Sequence, residues 1–147
     1  MMLHDGNSVD PHVKVASQET RRALKVKERG NLVYRAGRFE KAAQLYSLAL
    51  SIAPAACDLR AAIEQLVHVR AACLANRAAA LLALGWHVPA VLDASSASAE
   101  IVYATNDRRL ENRRELRKLQ KKALSRRALA YRALGITRRA MLDEQFV

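Results

Sequence analysis

Three glycines constrain this chain more than any other residues. Gly37, Gly85 and Gly135 each close a stretch of helical periodicity, and each is soon followed by a second such stretch. Glycine is the usual residue just past a helix end, because the left-handed backbone needed there costs it nothing. The first stretch begins at Ser17, with Ser17 or Thr20 as the capping residue, and repeats apolar residues at Ala23, Leu24, Val26, Val33 and Ala36. The second runs from about Phe39 to Ile52, with Ala42, Ala43, Tyr46, Ala49 and Leu50 on one face, and Pro54 closes it. The cycle recurs over about Ala56–Leu84 and Pro89–Tyr103. It recurs again from a cap at Thr105, Asn106 or Asp107 to Leu134, then over about Thr137–Phe146. The glycines lie 48 and 50 residues apart. Short glycine turns make the helices of each pair antiparallel, and pairs repeating at this scale stack into a solenoid.

Composition supports the same reading. Alanine, leucine and arginine dominate, aromatics are 5% of residues, and neither β-branched runs nor Asn-Gly hairpin signals occur. The net charge of +11 favours anionic partners of any kind without choosing among them. Cys57 and Cys73 lie in alanine-rich helical surroundings and read as small buried residues rather than a disulfide pair. The opening MMLHDGNSVDPHVK lacks an apolar core of the kind a secretory leader carries, and residues 1–16 read as a flexible lead-in to a single domain over 17–147. The longest apolar run, Ala78–Leu92, is broken by His87 and Pro89 and is too short to span a bilayer. A cytoplasmic protein without membrane association is the expectation.

These residues resemble the tetratricopeptide repeat (TPR), a helix–turn–helix unit of 34 residues. The first repeat, about 23–56, matches through Gly30, Gly37, Phe39, Ala42, Tyr46, Ala49 and Pro54. The second, about 71–104, matches through Ala78, Gly85, Ala90 and Ala97, and the third, about 121–147, through Ala128, Tyr131, Gly135 and Ala140. The resemblance implies an all-α right-handed superhelix of three stacked antiparallel helix pairs. It also implies that Gly30 is small so that the two helices of its pair can close up. The spacings exceed 34 because of surplus residues at Ala55–Arg70 and Thr105–Gln120. These are expected to extend the first helices of repeats two and three N-terminally by three or four turns. The third repeat reads as short and uncapped.

The first helices of stacked repeats line a concave groove. Lys27 and Asn31 are four apart on one helix face, with Tyr34 following; Asn76 lies in the first helix of repeat two; Lys122 and Arg126, again four apart, lie in that of repeat three. This set resembles the carboxylate clamp of chaperone-binding TPR domains: Lys-x-x-Gly-Asn as KERGN at 27–31, an Asn beside an Arg as Asn76-Arg77, and Lys-x-x-x-Arg as KALSR at 122–126. The resemblance implies a co-chaperone adaptor for the Glu-Glu-Val-Asp tail of a seventy- or ninety-kilodalton heat-shock chaperone. In that reading Tyr34 forms part of the wall receiving the tail's valine. Two close carboxylates need several donors and net positive charge, which lysine, arginine and asparagine supply in different geometries.

Plainer readings compete at each position. Lys27 alone is an ordinary solvated lysine. Asn76, between Leu74 and Ala78, needs a partner. Lys122 and Arg126 sit in a stretch, 105–139, with 13 Lys/Arg against three acids. That stretch raises nucleic-acid binding through the basic helix 105–134 as an alternative, although base-stacking aromatics are missing apart from Tyr131. A scaffold for another acidic C-terminus is a third reading. The histidines at 4, 12, 68 and 87 lack metal-ligand spacing, and no phosphate loop, nucleophile elbow or carboxylate pair occurs. Neither a cofactor, a metal nor an enzymatic activity is expected.

Overall fold

The computed structural model describes residues 11–53, 63–106 and 113–147. Among the described residues six helices follow one another: α1 (Pro11–Arg35), α2 (Phe39–Ile52), α3 (Ile63–Ala83), α4 (His87–Thr105), α5 (Arg113–Ala133) and α6 (Thr137–Glu144). Each packs on its sequence neighbour, and α1, α3 and α5 also touch in series, as in a stack of helical hairpins. No strand occurs among the described residues.

The three glycine turns are copies of one device. Gly37, Gly85 and Gly135 have φ of +75°, +76° and +75°, a region where a Cβ is strained. In the first, Gly37 N–H donates to the Tyr34 carbonyl at 2.9 Å and Arg38 N–H to Val33 at 3.2 Å; the same pair of bonds recurs at 85–86 and 135–136. This is the Schellman arrangement, which satisfies carbonyls a helix end would otherwise leave open.

Alanine builds the interior. Ala42, Ala78, Ala90, Ala97 and Ala140 have no exposed surface, and Ala128 is nearly as buried. Such small side chains let helix axes approach closely, so the larger residues enter as single wedges. Ile101 and Leu116 fill the seam of α3, α4 and α5 among Ala71, Ala75 and Ala123. Gly30 serves the same end in the first pair: a Cβ there would lie 2.7 Å from the buried Tyr46 ring. The expectation that Gly30 lets the paired helices close up is met.

Charged side chains lock the repeats together. Arg77 grips Asp93 through two 2.7 Å hydrogen bonds and donates a third to Ser47 Oγ at 2.9 Å. Arg127 does the same one repeat on, with two 2.7 Å bonds to Asp143 and one of 3.1 Å to Ser95 Oγ. Each arginine thereby joins both helices of its own pair to the second helix of the pair before. Bonding to the aspartate holds the pKa of both guanidiniums above the ordinary arginine value.

Several boundaries differ from expectation. α1 starts at Pro11, so the flexible lead-in placed over 1–16 is helical from 11 onward, and Ser17 and Thr20 lie inside the helix rather than capping it. A proline suits a first turn, because its fixed φ is already helical and its missing N–H would be unpaired there anyway. Asn106 caps the C-terminus of α4, so neither it nor Thr105 starts α5. The described parts of the first helices of repeats two and three already reach back to Ile63 and Arg113, about two turns ahead of the repeats, in line with the expected N-terminal extension; the remaining expected turns fall outside the described residues. Residues 1–10, 54–62 and 107–112, with Cys57 and Asp107, lie outside the described residues.

The stretch Gln65–Ala83 of α3 is long and apolar enough to cross a membrane by composition, exceeding the run at 78–92, but it is mostly buried among the other helices. At the end of the stack, Leu129, Met141, Leu142 and Phe146 are exposed.

Candidate functional site

α1, α3 and α5 run side by side, and a recess of about 220 Å³ opens between them. α1 contributes Asn31, Tyr34 and Arg35, and α3 contributes Asn76 with Ala79 as floor. α5 contributes Lys122 and Arg126, and Tyr46 reaches in from α2. The lining holds three cations and no carboxylate.

The amides and the arginine form a directed chain. Arg126 Nη1 donates to Asn76 Oδ1 at 3.2 Å and to the Ala75 carbonyl. Asn76 Nδ2 donates to Asn31 Oδ1 at 3.0 Å, and the Tyr46 hydroxyl donates to the same oxygen at 2.8 Å. Asn31 Oδ1 therefore accepts twice, and its Nδ2 is left as a donor without an acceptor among the described residues. This answers the demand that Asn76, in its apolar run, find partners. Tyr46 is pinned at both ends, its ring against Gly30 and its hydroxyl on Asn31. Burial pushes its phenol up to about 12.

Electrostatics set the site apart from the rest of the solenoid. Arg126 has no carboxylate partner among the described residues, and withdrawal from water lowers its pKa. Lys122 is lowered too, first by desolvation, then by repulsion from Arg126 and Lys27. The cations thus face one another across a site with no negative charge to offset them. Elsewhere Arg70, Arg77, Arg127 and Arg132 each hold an acid.

Five of the six residues picked from the sequence line the recess: Asn31, Tyr34, Asn76, Lys122 and Arg126. Tyr34 sits edge-on to Phe39, with ring centroids 5.1 Å apart and planes at 65°. Lys27 lies outside the recess proper, yet its ammonium acts on Lys122. Arg77 parts from Asn76: neighbours on a helix point about 100° apart, and Arg77 faces Asp93 instead. Tyr46 and Arg35 were missed. Tyr46 reads as core by periodicity, whereas Arg35 stands four residues beyond Asn31, a spacing that marks it.

Among solved structures, the chain is similar to the second TPR of Spaghetti (RPAP3) bound to the HSP90 peptide SRMEEVD. The TM-score is 0.63 at 24% identity, over 89% of this chain and 88% of that one. The chain has the TPR fold. No protein-family model matches the sequence, and no curated protein does. Within the TPR fold, the buried alanines and Gly30 stand where the repeat pattern calls for small residues, and the recess lies on the face formed by the first helix of each repeat.

Proposed function

We propose that this TPR domain is a non-catalytic adaptor that binds the acidic C-terminal tail of a cytoplasmic heat-shock chaperone, in the manner of a co-chaperone. One observation carries the reading: Arg126, Lys122 and Arg35 line one recess with no acid among its lining residues, and Lys27 adds a fourth positive charge from just outside it. Like charges are brought together in a fold at a cost, and a dianionic ligand offsets that cost.

A tail ending in aspartate presents two carboxylates from one residue. Lys27 and Lys122 supply mobile ammoniums, Arg126 a planar fork, and Asn31 and Asn76 amide donors. Tyr34 gives an apolar wall to the side chain before the terminus. Each charge-assisted hydrogen bond contributes about 1.5–3 kcal/mol net. Four or five of them, less the ordering of a flexible tail, give affinity on the order of micromolar. The structural neighbour holds a peptide of HSP90 ending Glu-Glu-Val-Asp, which favours a ninety-kilodalton over a seventy-kilodalton chaperone as the partner. The nucleic-acid alternative draws less support from the basic helix, where Arg127 and Arg132 are bound to Asp143 and Glu144 and Arg126 turns inward to Asn76.

The test is fluorescence anisotropy with labelled peptides ending Glu-Glu-Val-Asp, one with a free and one with an amidated C-terminus, against wild type and Lys122→Ala. Micromolar binding lost on amidation and on substitution is expected. A folded protein that binds neither peptide sinks the reading.

A further inference from the structure

The groove reading leaves one cation of the recess without a role. Arg35 lines the same recess, is exposed, and has no acidic partner among the described residues. It falls eight residues after Lys27 and four after Asn31, so the three form one stripe along α1. Four residues of helix advance about 6 Å. An extended peptide advances about 3.3 Å per residue. For a peptide laid along α1 with its upstream residues toward the helix C-terminus, a carboxy-terminal residue held at Asn31 brings the residue two places upstream level with Arg35, and the residue between them alongside Tyr34.

The recess also differs in charge from two neighbouring concavities. The groove between α2 and α4 contains Glu40 and Asp93, and the one at the first glycine turn contains Glu40. The recess beside Arg35 contains no acid, so nothing within it competes for the guanidinium.

We propose that Arg35 is a specificity-determining residue that pairs with an acidic side chain two positions before the ligand's C-terminus; this rests on the tail-binding reading above. The clamp recognises the terminal residue, Tyr34 faces an apolar penultimate side chain, and Arg35 selects glutamate or aspartate before it. The ligand class is thereby narrowed from any acidic C-terminus to acid–apolar–aspartate.

Anisotropy titrations of wild type, Arg35→Ala and Arg35→Glu with two peptides, ending Glu-Glu-Val-Asp and Glu-Gln-Val-Asp, test this. Exposed ion pairs predict a modest effect. Arg35→Ala is expected to weaken the first peptide about three-fold and leave the second unchanged, and Arg35→Glu to weaken the first by more. A third peptide, ending Glu-Lys-Val-Asp, is expected to bind Arg35→Glu better than wild type. Equal shifts for the first two peptides, or none, overturn the inference while amidation-sensitive binding keeps the groove reading intact. Failure of wild type to bind any peptide overturns both.

Discussion

Arg126 on α5 donates to Asn76 on α3 across 3.2 Å, so the guanidinium is held by an amide rather than by a carboxylate. A neutral acceptor fixes the position of a cation without cancelling its charge. That separation of holding from neutralising explains why the recess stays positive although it is ordered.

Lys122 shows the cost of that choice. Its pKa lies below the ordinary lysine value, because desolvation and the neighbouring cations disfavour its charged form. The unfolded chain therefore binds this proton more tightly than the fold does. The ligand-free protein is expected to gain stability as pH rises through the lowered pKa toward the ordinary lysine range, near 10.5. Tail affinity should fall over the same window. Lys122→Gln is expected to keep or raise the melting temperature at pH 7 while weakening the tail at least about ten-fold, or 1.4 kcal/mol. A variant that loses stability at neutral pH would contradict this account.

Asn31→Asp changes one atom's identity and places a negative charge among the cations of the recess. The new carboxylate keeps both bonds that Oδ1 accepts from Tyr46 and Asn76. It also becomes an internal counter-ion for the cations of the recess. Thermal melts should show equal or greater stability, and titrations should show tail binding reduced by more than about ten-fold. Retained affinity would mean that the ligand does not depend on unpaired charge.

Gly30→Ala sets helix propensity against packing. Alanine is favoured in a helix interior by about 1 kcal/mol. The added Cβ, however, meets a ring that is 1% exposed and whose hydroxyl is fixed on Asn31. Overpacking of this kind costs about 1–3 kcal/mol. Urea denaturation should therefore show net destabilisation, and a stabilised variant would show that the ring has room to retreat.

Arg77 is expected to matter for folding and not for the tail. Arg77→Ala leaves Asp93, only 8% exposed, without its cation. Breaking a fully buried pair costs about 3–5 kcal/mol, and the partly exposed arginine here brings that to about 2–3 kcal/mol. The double change Arg77→Met with Asp93→Leu should recover most of the loss, because no charge is then left alone. Chemical denaturation of the three variants distinguishes this from a role in the groove, which would show only in titrations.

The residues that announced the fold act locally. A glycine past a helix end and alanines at helical spacing need no knowledge of the partner helix, which is why three pairs and five lining residues were legible. What escaped was set by pairing over distance. Arg77 meets Asp93, and Arg127 meets Asp143, 16 residues along the chain and across a turn, and that spacing is visible only once the pairing is known. Asn76 and Arg77 looked like one motif because they are adjacent, but a helix sends adjacent side chains to different surfaces. The start of α1 at Pro11 escaped because two good caps, Ser17 and Thr20, stand downstream of it.

Tyr46 ties the seam of the first hairpin to the amide that faces the groove. On the tail-binding proposal, the amide donors are consequently aimed before any ligand arrives, and ordering on association falls on the peptide and on the lysine side chains that meet it. On that proposal, stiffening the peptide in its extended form is the direct route to tighter capture, while loosening the hairpin is expected to weaken recognition and fold together.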